Sequence, residues 1–337
     1  MRDRPPGITE RDVARALADG WGLSAGTLRY APVGGGSYHW IVTVGPGEQW
    51  FVTVDDLDDK GWLGRTRPAV FSGLRAAMDA ALWLRREAGL GFVVAPVPAL
   101  DGQAVRPLGA RHALAVYPYL PGSPGQWDHP LPAPELDELV ALLAALHRVD
   151  PATVRLPHRE MDLSWRGDLE VALRELGRPW TGGGPFTEPA RALLAGAAGP
   201  VRRGLEALDQ WASRPTPAAN LVITHGEPHP GNVIRMPANG TGAARGGIML
   251  IDWDTVALAP PERDLWMVAT EAGDELRRYT ELTGRPVDAT ALELYRLRWA
   301  LDDLSCFLRD LRAPHRRTLG TEHAWQALET TITQLTR

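Results

Sequence analysis

Two short stretches hold most of the side chains in this sequence that could carry out a reaction. The first is Val222-Ile223-Thr224-His225-Gly226-Glu227-Pro228-His229-Pro230-Gly231-Asn232-Val233, an apolar strand running into a loop that carries a carboxylate and, five residues later, an amide. The second is Leu250-Ile251-Asp252-Trp253-Asp254, an apolar strand ending in two carboxylates. Phosphoryl transfer to a hydroxyl needs these parts: one carboxylate to orient the hydroxyl and accept its proton, and an amide oxygen with a second carboxylate to hold magnesium against a triphosphate. Magnesium takes oxygen ligands and keeps several waters, so one or two protein ligands suffice. Glu227 is the candidate base, and Asn232, Asp252 and Asp254 are the candidate metal ligands. The His-x-Glu-x-His spacing of His225 and His229 departs from the helical His-Glu-x-x-His zinc pattern, and the flanking Gly and Pro forbid a helix there.

Elements must deliver these loops. Thr9 followed by Asp12 predicts an N-terminal helix with Val13, Leu17 and Trp21 on one face. Runs at 27–33, 39–44 and 49–54 predict a meander, with Gly45-Pro46-Gly47-Glu48 as one turn and Gly34-Gly35-Gly36-Ser37 as the other connection. An acidic loop with Asp55, Asp56, Asp58 and Asp59, expected as a solvated face, precedes a helix over 68–88. Runs at 92–100 and 112–120 predict two further strands, so the N-terminal part is α+β with five strands and a helix. Pro121-Gly122-Ser123-Pro124-Gly125 marks the boundary, and helices are expected up to about 147 and over 189–213 and 289–312. The segment 237–247, with Asn239-Gly240, reads as a long solvent loop.

The two reactive stretches resemble the catalytic and metal-binding loops of the aminoglycoside phosphotransferase and choline kinase family, relatives of the protein kinases, whose pattern is His-Gly-Asp-x-His-x-x-Asn followed by Ile-Asp-Trp. The run from Asp252 to Ala259-Pro260-Pro261-Glu262-Arg263-Asp264-Leu265 looks most like the spectinomycin phosphotransferase branch. The resemblance implies a two-lobed protein-kinase-like fold. Its small N-terminal lobe (1–120) would hold a five-stranded antiparallel sheet and bind nucleotide; a hinge would fall at about 117–125, and a larger, mainly helical lobe (121–337) would carry catalysis and the acceptor. It places Glu227 at the catalytic Asp position, with His225 and His229 shaping that loop, and gives Asn232 and Asp252 to magnesium. Asp264 would brace the loop from the next helix. Gly34, Gly35, Gly36 and Ser37 match the loop over the nucleotide phosphates, and Asp302, Asp303, Glu271 and Trp266 fall in the region that lines the acceptor pocket. Trp266 reads as core before it reads as a stacking platform, and Asp302 and Asp303 are equally readable as ordinary exposed helix charges.

Two residues depart from the family pattern. Glu227 is one methylene longer than the family's Asp, and a displacement of about 1 Å can cost roughly a hundredfold in rate. Proline at 228 restricts Glu227 toward an extended backbone and could retract the carboxylate. Thr53 stands in the third-strand slot where the family has a lysine that holds the α- and β-phosphates. Of 36 basic residues only Lys60 is a lysine, seven positions on. Magnesium, Arg65 or Lys60 must then neutralise phosphate, or nucleotide binding is weak.

The implied activity is a magnesium- and ATP- or GTP-dependent O-phosphotransferase acting on a small, cationic, hydroxylated molecule such as an aminoglycoside or aminocyclitol antibiotic. The alternative is a retired kinase fold that binds nucleotide or small molecule without turnover. The net charge of −5 gives no field for a phosphate backbone, so nucleic acid is not an expected partner. No run approaches the ~18 apolar residues of a membrane span, and the start lacks the apolar core of a signal peptide, which predicts a cytoplasmic enzyme. Cys306 is the sole cysteine, which excludes an intrachain disulfide and a cysteine-built metal site. A monomer or a homodimer is expected.

Overall fold

The computed structural model describes residues 3–127, 129–159, 161–214, 216–238 and 246–336. Most of the solvent loop expected at 237–247 lies outside them. Thr9 starts α1 (Glu10–Trp21) as its spacing predicts: its hydroxyl accepts from the Asp12 N–H while the Asp12 carboxylate accepts from the Thr9 N–H.

Strands β1 (Ala25–Ala31), β2 (Tyr38–Val44), β3 (Glu48–Asp56), β4 (Arg106–Leu108) and β5 (His112–Pro118) form a five-stranded antiparallel sheet in the order β1-β2-β3-β5-β4. The two-residue alternation of a strand sorts its faces. Trp40, Val42, Val52, Val54, Leu114 and Val116 enter one core with Val13, Leu17 and Trp21 of α1. The other face therefore carries Thr53, Asp55 and Tyr117, with Thr53 paired to Ala115 and Phe51 to Tyr117. Helix α2 (Arg67–Arg86) follows, and the Tyr117 hydroxyl reaches Met78 Sδ on it at 3.0 Å.

Two expectations are corrected here. The stretch 92–100 is no strand: Pro96 and Pro98 lack the N–H that a ladder requires. It is tied instead by single contacts, among them Val94 N–H to Leu250 O and Val97 N–H to Val116 O, and β4 takes the edge of the sheet beside β5. Nor is the first half of the acidic run a solvated face, although Asp58 is exposed as expected. Asp55 and Asp56 end β3 at 4% and 2% exposure, and each has a cation: Asp55 pairs with Lys60, while Asp56 receives a two-pronged contact from Arg111. A buried carboxylate without such a partner would be strongly disfavoured.

Beyond the sheet come β6 (Ser123–Pro124), α3 (Ala133–His147), α4 (Arg166–Arg174), α5 (Thr187–Ala212), β7 (Val222–Thr224), β8 (Val233–Arg235), β9 (Ile248–Leu250), β10 (Ala257–Ala259), α6 (Glu262–Leu265), α7 (Asp274–Thr283), α8 (Ala289–Arg312) and α9 (Leu319–Leu335). The contacts divide the chain into two compact units, Asp3–His158 with Ala218–Val287, and Arg159–Pro217 with Asp288–Arg337. In the first, α3 packs on α7, and two short ladders, β7 with β10 and β6-β8-β9, flank the reactive loop. The second is helical, with α8 packed against α4, α5 and α9. Among the described residues no helix is long and apolar enough to cross a membrane.

The segment expected as a hinge lies in the first unit, where Ser123–Pro124 pairs with β8 and the Gly125 N–H donates to Val233 O at 2.9 Å. A Cβ on Gly125 would stand 2.2 Å from the Pro230 carbonyl oxygen, backbone against backbone. Gly125→Ala is therefore expected to lower stability by about 2 kcal/mol, the scale of overpacking, and to loosen the reactive loop that begins its last turn at Pro230. A denaturant midpoint equal to the parent's would show that β6 is not seated as described.

Candidate active site

The loop from His225 to Asn232 is fixed at both ends and in the middle. At its start, β7 pairs with β10, and the Thr224 hydroxyl donates to Ala257 O at 3.0 Å. At its end, Val233 pairs with Leu250, and the Ile251 N–H donates to Asn232 O at 3.0 Å. That last bond sets Asn232 beside the chain entering Asp252. In the middle, the Asp264 carboxylate accepts the His225 N–H at 2.8 Å and the Gly226 N–H at 2.6 Å.

Asp264 is fully buried, and desolvation alone would raise its pKa. The contact with His147, first its hydrogen bond and then its charge, with the Arg263 charge, outweighs burial and holds it below the ordinary value. His147 Nε2 lies 3.0 Å from Asp264 Oδ2 and its Nδ1 2.9 Å from the Tyr279 hydroxyl, so the carboxylate fixes the Nε2–H form and the ring joins α3 to α7. His147 and Tyr279 escaped the sequence reading. Their only sequence signal is a histidine closing the apolar face of α3.

Gly226 has φ 99° and sits directly on the Arg263 guanidinium, which a Cβ would approach to 2.4 Å. Arg263 is itself committed, donating to the Thr224 hydroxyl at 2.7 Å and to Thr255 O at 2.9 Å. The turn thus requires glycine for both conformation and space. His225 is a bridge in this frame: Nε2–H donates to Ile251 O at 2.9 Å, Nδ1 accepts the Glu227 N–H at 3.2 Å, and the ring stands edge-on to Trp253. Burial lowers its pKa, and the neutral ring satisfies both contacts. His229 packs edge-on against Trp127, and desolvation drives its pKa down to about 3.

Glu227 is half-buried at the head of the loop. Its carbonyl accepts from Asn232 Nδ2 at 2.9 Å, which leaves the Asn232 side-chain oxygen as the acceptor still to be used. Asp252 is open to solvent, meets no hydrogen-bond partner among the described residues, and has φ 64°, the one positive φ among their non-glycine residues. Protein crowds it closely enough that desolvation, then the Asp254 charge, pushes its pKa up to about 7, against the opposing Lys60 charge. A strained residue with an unbonded carboxylate, next to an oriented amide oxygen, is the hard-oxygen donor set that suits magnesium. Among the described residues no three His, Cys, Asp or Glu side chains gather as a metal site. Asp254, read as a third ligand, is instead held by Lys60 Nζ at 2.5 Å.

Gly34, Gly35 and Gly36 form the open connection before β2, and Ser37 donates its hydroxyl to Asp55 Oδ1 at 2.5 Å. Thr53 contacts His39 Nδ1 at 3.3 Å on the sheet face that also carries Asp55. Trp266 is half-buried and Glu271 exposed in the first unit. In the second, Asp302 is occupied by the Ser164 N–H at 2.7 Å and by Arg298 at 3.3 Å. Burial, then the Asp302 charge, pushes the neighbouring Asp303 pKa up to about 7.

Asp264→Asn keeps the shape but turns an N–H₂ toward a backbone donor. The variant is expected to lose about 3 kcal/mol at pH 7, as when a buried hydrogen-bonded charge loses its partners. Because the folded pKa is lowered, the stability from ionised Asp264 is complete above about pH 4 and is lost as pH falls through the lowered value. The gap between parent and variant should therefore narrow below pH 4 in urea titrations. An equal midpoint at pH 7 would mean that the loop is held elsewhere.

The chain is similar to known proteins over most of its length. The phosphotransferase enzyme family (APH) profile matches residues 30–302. Protein StrN of Streptomyces griseus is 26% identical over 305 residues, covering 84% of this chain and 85% of that protein. Among solved structures, spectinomycin phosphotransferase APH(9)-Ia in complex with ADP and spectinomycin superposes with a TM-score of 0.71 at 17% identity, covering 98% of both chains. The amicoumacin kinase hAmiN complex with AMP-PNP and Ca²⁺ gives 0.60 at 15% identity, over 98% of this chain and 94% of that one. Choline kinase LicA from Streptococcus pneumoniae gives 0.55 at 12%, over 96% and 99%. With a family profile spanning most of its length and a two-lobed kinase-type fold shared with these enzymes, the chain belongs to the APH phosphotransferase enzyme family.

Proposed function

We propose that this protein transfers the γ-phosphoryl group of ATP or GTP, with magnesium, to a hydroxyl of a small cationic acceptor such as an aminoglycoside or aminocyclitol. Residues 1–120 serve as the nucleotide lobe and 121–337 as the catalytic and acceptor lobe. The observation that carries the reading is the set Glu227, Asn232 and Asp252: a half-buried carboxylate, an amide oxygen left free by its own N–H₂ contact, and an unbonded carboxylate on strained backbone. Relatives in complex with ADP and spectinomycin, or with AMP-PNP and Ca²⁺, support the nucleotide and the antibiotic class.

Asn232 and Asp252 would hold the metal. Bound there, magnesium supplies charge neutralisation to the phosphate oxygens and alignment of the transferring group. Glu227 orients the acceptor hydroxyl and takes its proton as the bond to phosphorus forms. In a loose transition state this positioning matters more than strong basicity, so a longer side chain serves if its oxygen reaches the nucleophile. The backbone contacts of Asp264, His225 and Asn232 set where that oxygen falls.

Radiolabelled phosphate transfer from ATP and GTP to aminocyclitol, aminoglycoside and amino-alcohol acceptors tests the function. On a confirmed acceptor, Glu227→Gln is expected to lower kcat by a factor on the order of 10² to 10⁴, with nucleotide affinity kept, and Asp252→Ala to abolish turnover in a folded protein. Nucleotide binding without transfer to any acceptor would favour a retired kinase.

A further inference from the structure

Lys60 is the chain's sole lysine, and the structure buries it at 2% exposure. Its Nζ lies 2.5 Å from Asp254 Oδ2 and 3.1 Å from Asp55 Oδ1, and 5.1 Å from the centre of the Trp62 ring. A Cβ on Gly36 would stand 4.0 Å from the same nitrogen, and Ser37 donates to the same Asp55 oxygen. One ammonium thus joins the end of β3 to the carboxylate two residues beyond Asp252, and Asp55 links it to Ser37 at the end of the glycine-rich connection. Arg65, the other nearby cation in sequence, is exposed.

Asp55, Asp252 and Asp254 together with Lys60 carry a formal charge of −2 when all are ionised, which a divalent ion would cancel. The ion would also weaken the hold of the carboxylates on the ammonium, since a cation shared by fewer free charges is bound less tightly. An exchange of partners suits a lysine, a compact charge with three donors on a flexible stem, better than the planar fork of arginine. Among 36 basic residues the sequence uses lysine only here.

Resting on the phosphotransferase function above, we propose that Lys60 is an exchangeable counter-ion: without nucleotide its ammonium is stored on Asp254 and Asp55, and with metal and nucleotide it moves to the phosphate oxygens. It thereby serves the charge that Thr53 cannot, reaching the same sheet face from the loop after β3. The stored ammonium also opposes a metal at the neighbouring Asp252 by its charge, so metal alone binds weakly.

A single lysine makes the test direct, because protein labelled with ¹⁵N-lysine gives one ammonium resonance. Saturation with Mg-ADP is expected to move that resonance, and Mg²⁺ alone at the same concentration to move it far less. Lys60→Met is expected to bind Mn²⁺ alone about tenfold or more tightly and ADP about tenfold or more weakly, opposite shifts that a merely structural role would not produce. Thr53→Lys added to Lys60→Met should restore ADP affinity. Affinities that both fall, or both stay, in Lys60→Met overturn the exchange. If that variant does not fold, a resonance that stays fixed while calorimetry shows wild-type saturation with Mg-ADP overturns it. Wild-type protein that binds no nucleotide refutes the phosphotransferase function itself, a separate result.

Discussion

The site depends on one buried carboxylate that touches no substrate. Asp264 collects the N–H groups of His225 and Gly226 and the ring of His147. Without it, two backbone donors at the head of the loop would be buried and unmet, each at a cost of about 1–3 kcal/mol. Its position also dictates the residues around it. Gly226 must turn at positive φ over Arg263, and Arg263 must stay committed to Thr224 and Thr255 so that its own charge is not stranded. The loop is stiff because its backbone, rather than its reactive side chains, makes these bonds.

That arrangement explains how the reactive groups remain available. In most of the molecule a buried acid is answered locally, as Asp56 is by Arg111. At the loop ends the answer is withheld: Asp252 has no hydrogen-bond partner among the described residues and its backbone is strained. The Asn232 N–H₂ is spent on the Glu227 carbonyl and its oxygen is left over. Strain and unused acceptors persist only where neighbouring structure over-determines them, and the two ladders with Asp264 supply that surplus. His225, expected to shape the loop, is part of its frame, since both of its ring nitrogens are engaged with backbone.

Local rules made part of this legible. The Thr9 cap, the three-strand meander, the long helices and the spacing of Glu227, Asn232 and Asp252 all follow from neighbours in sequence. What escaped depends on distance in the chain. His147 meets Asp264 from 117 residues upstream, with Tyr279 of α7 on its other ring nitrogen, and no local pattern announces that. Asp55 and Asp56 look like a solvated run until Lys60 and Arg111 arrive. The failed strand at 92–100 was readable: Pro96 and Pro98 stand in it, and the apolar alternation was given more weight than the missing donors.

The apparent loss of the third-strand lysine shows why a slot in a pattern is a poor proxy for a charge in a site. What phosphate chemistry requires is an ammonium on one face of the sheet, and strand geometry offers that face to every second residue of β3. Thr53 and Asp55 share it, so a carboxylate at 55 can recruit a cation from any segment able to reach it. A lysine stem spans roughly 6 Å, and the turn after β3 brings residue 60 back over the strand end it has just left. The cation then arrives already paired, to Asp55 on the strand and to Asp254 two residues beyond Asp252. Relocating the charge has a physical consequence that a strand lysine with a different partner need not share. In the proposed exchange its release would be coupled to whatever else neutralises Asp254, so the order in which metal and nucleotide enter would be a property of the loop rather than of the strand.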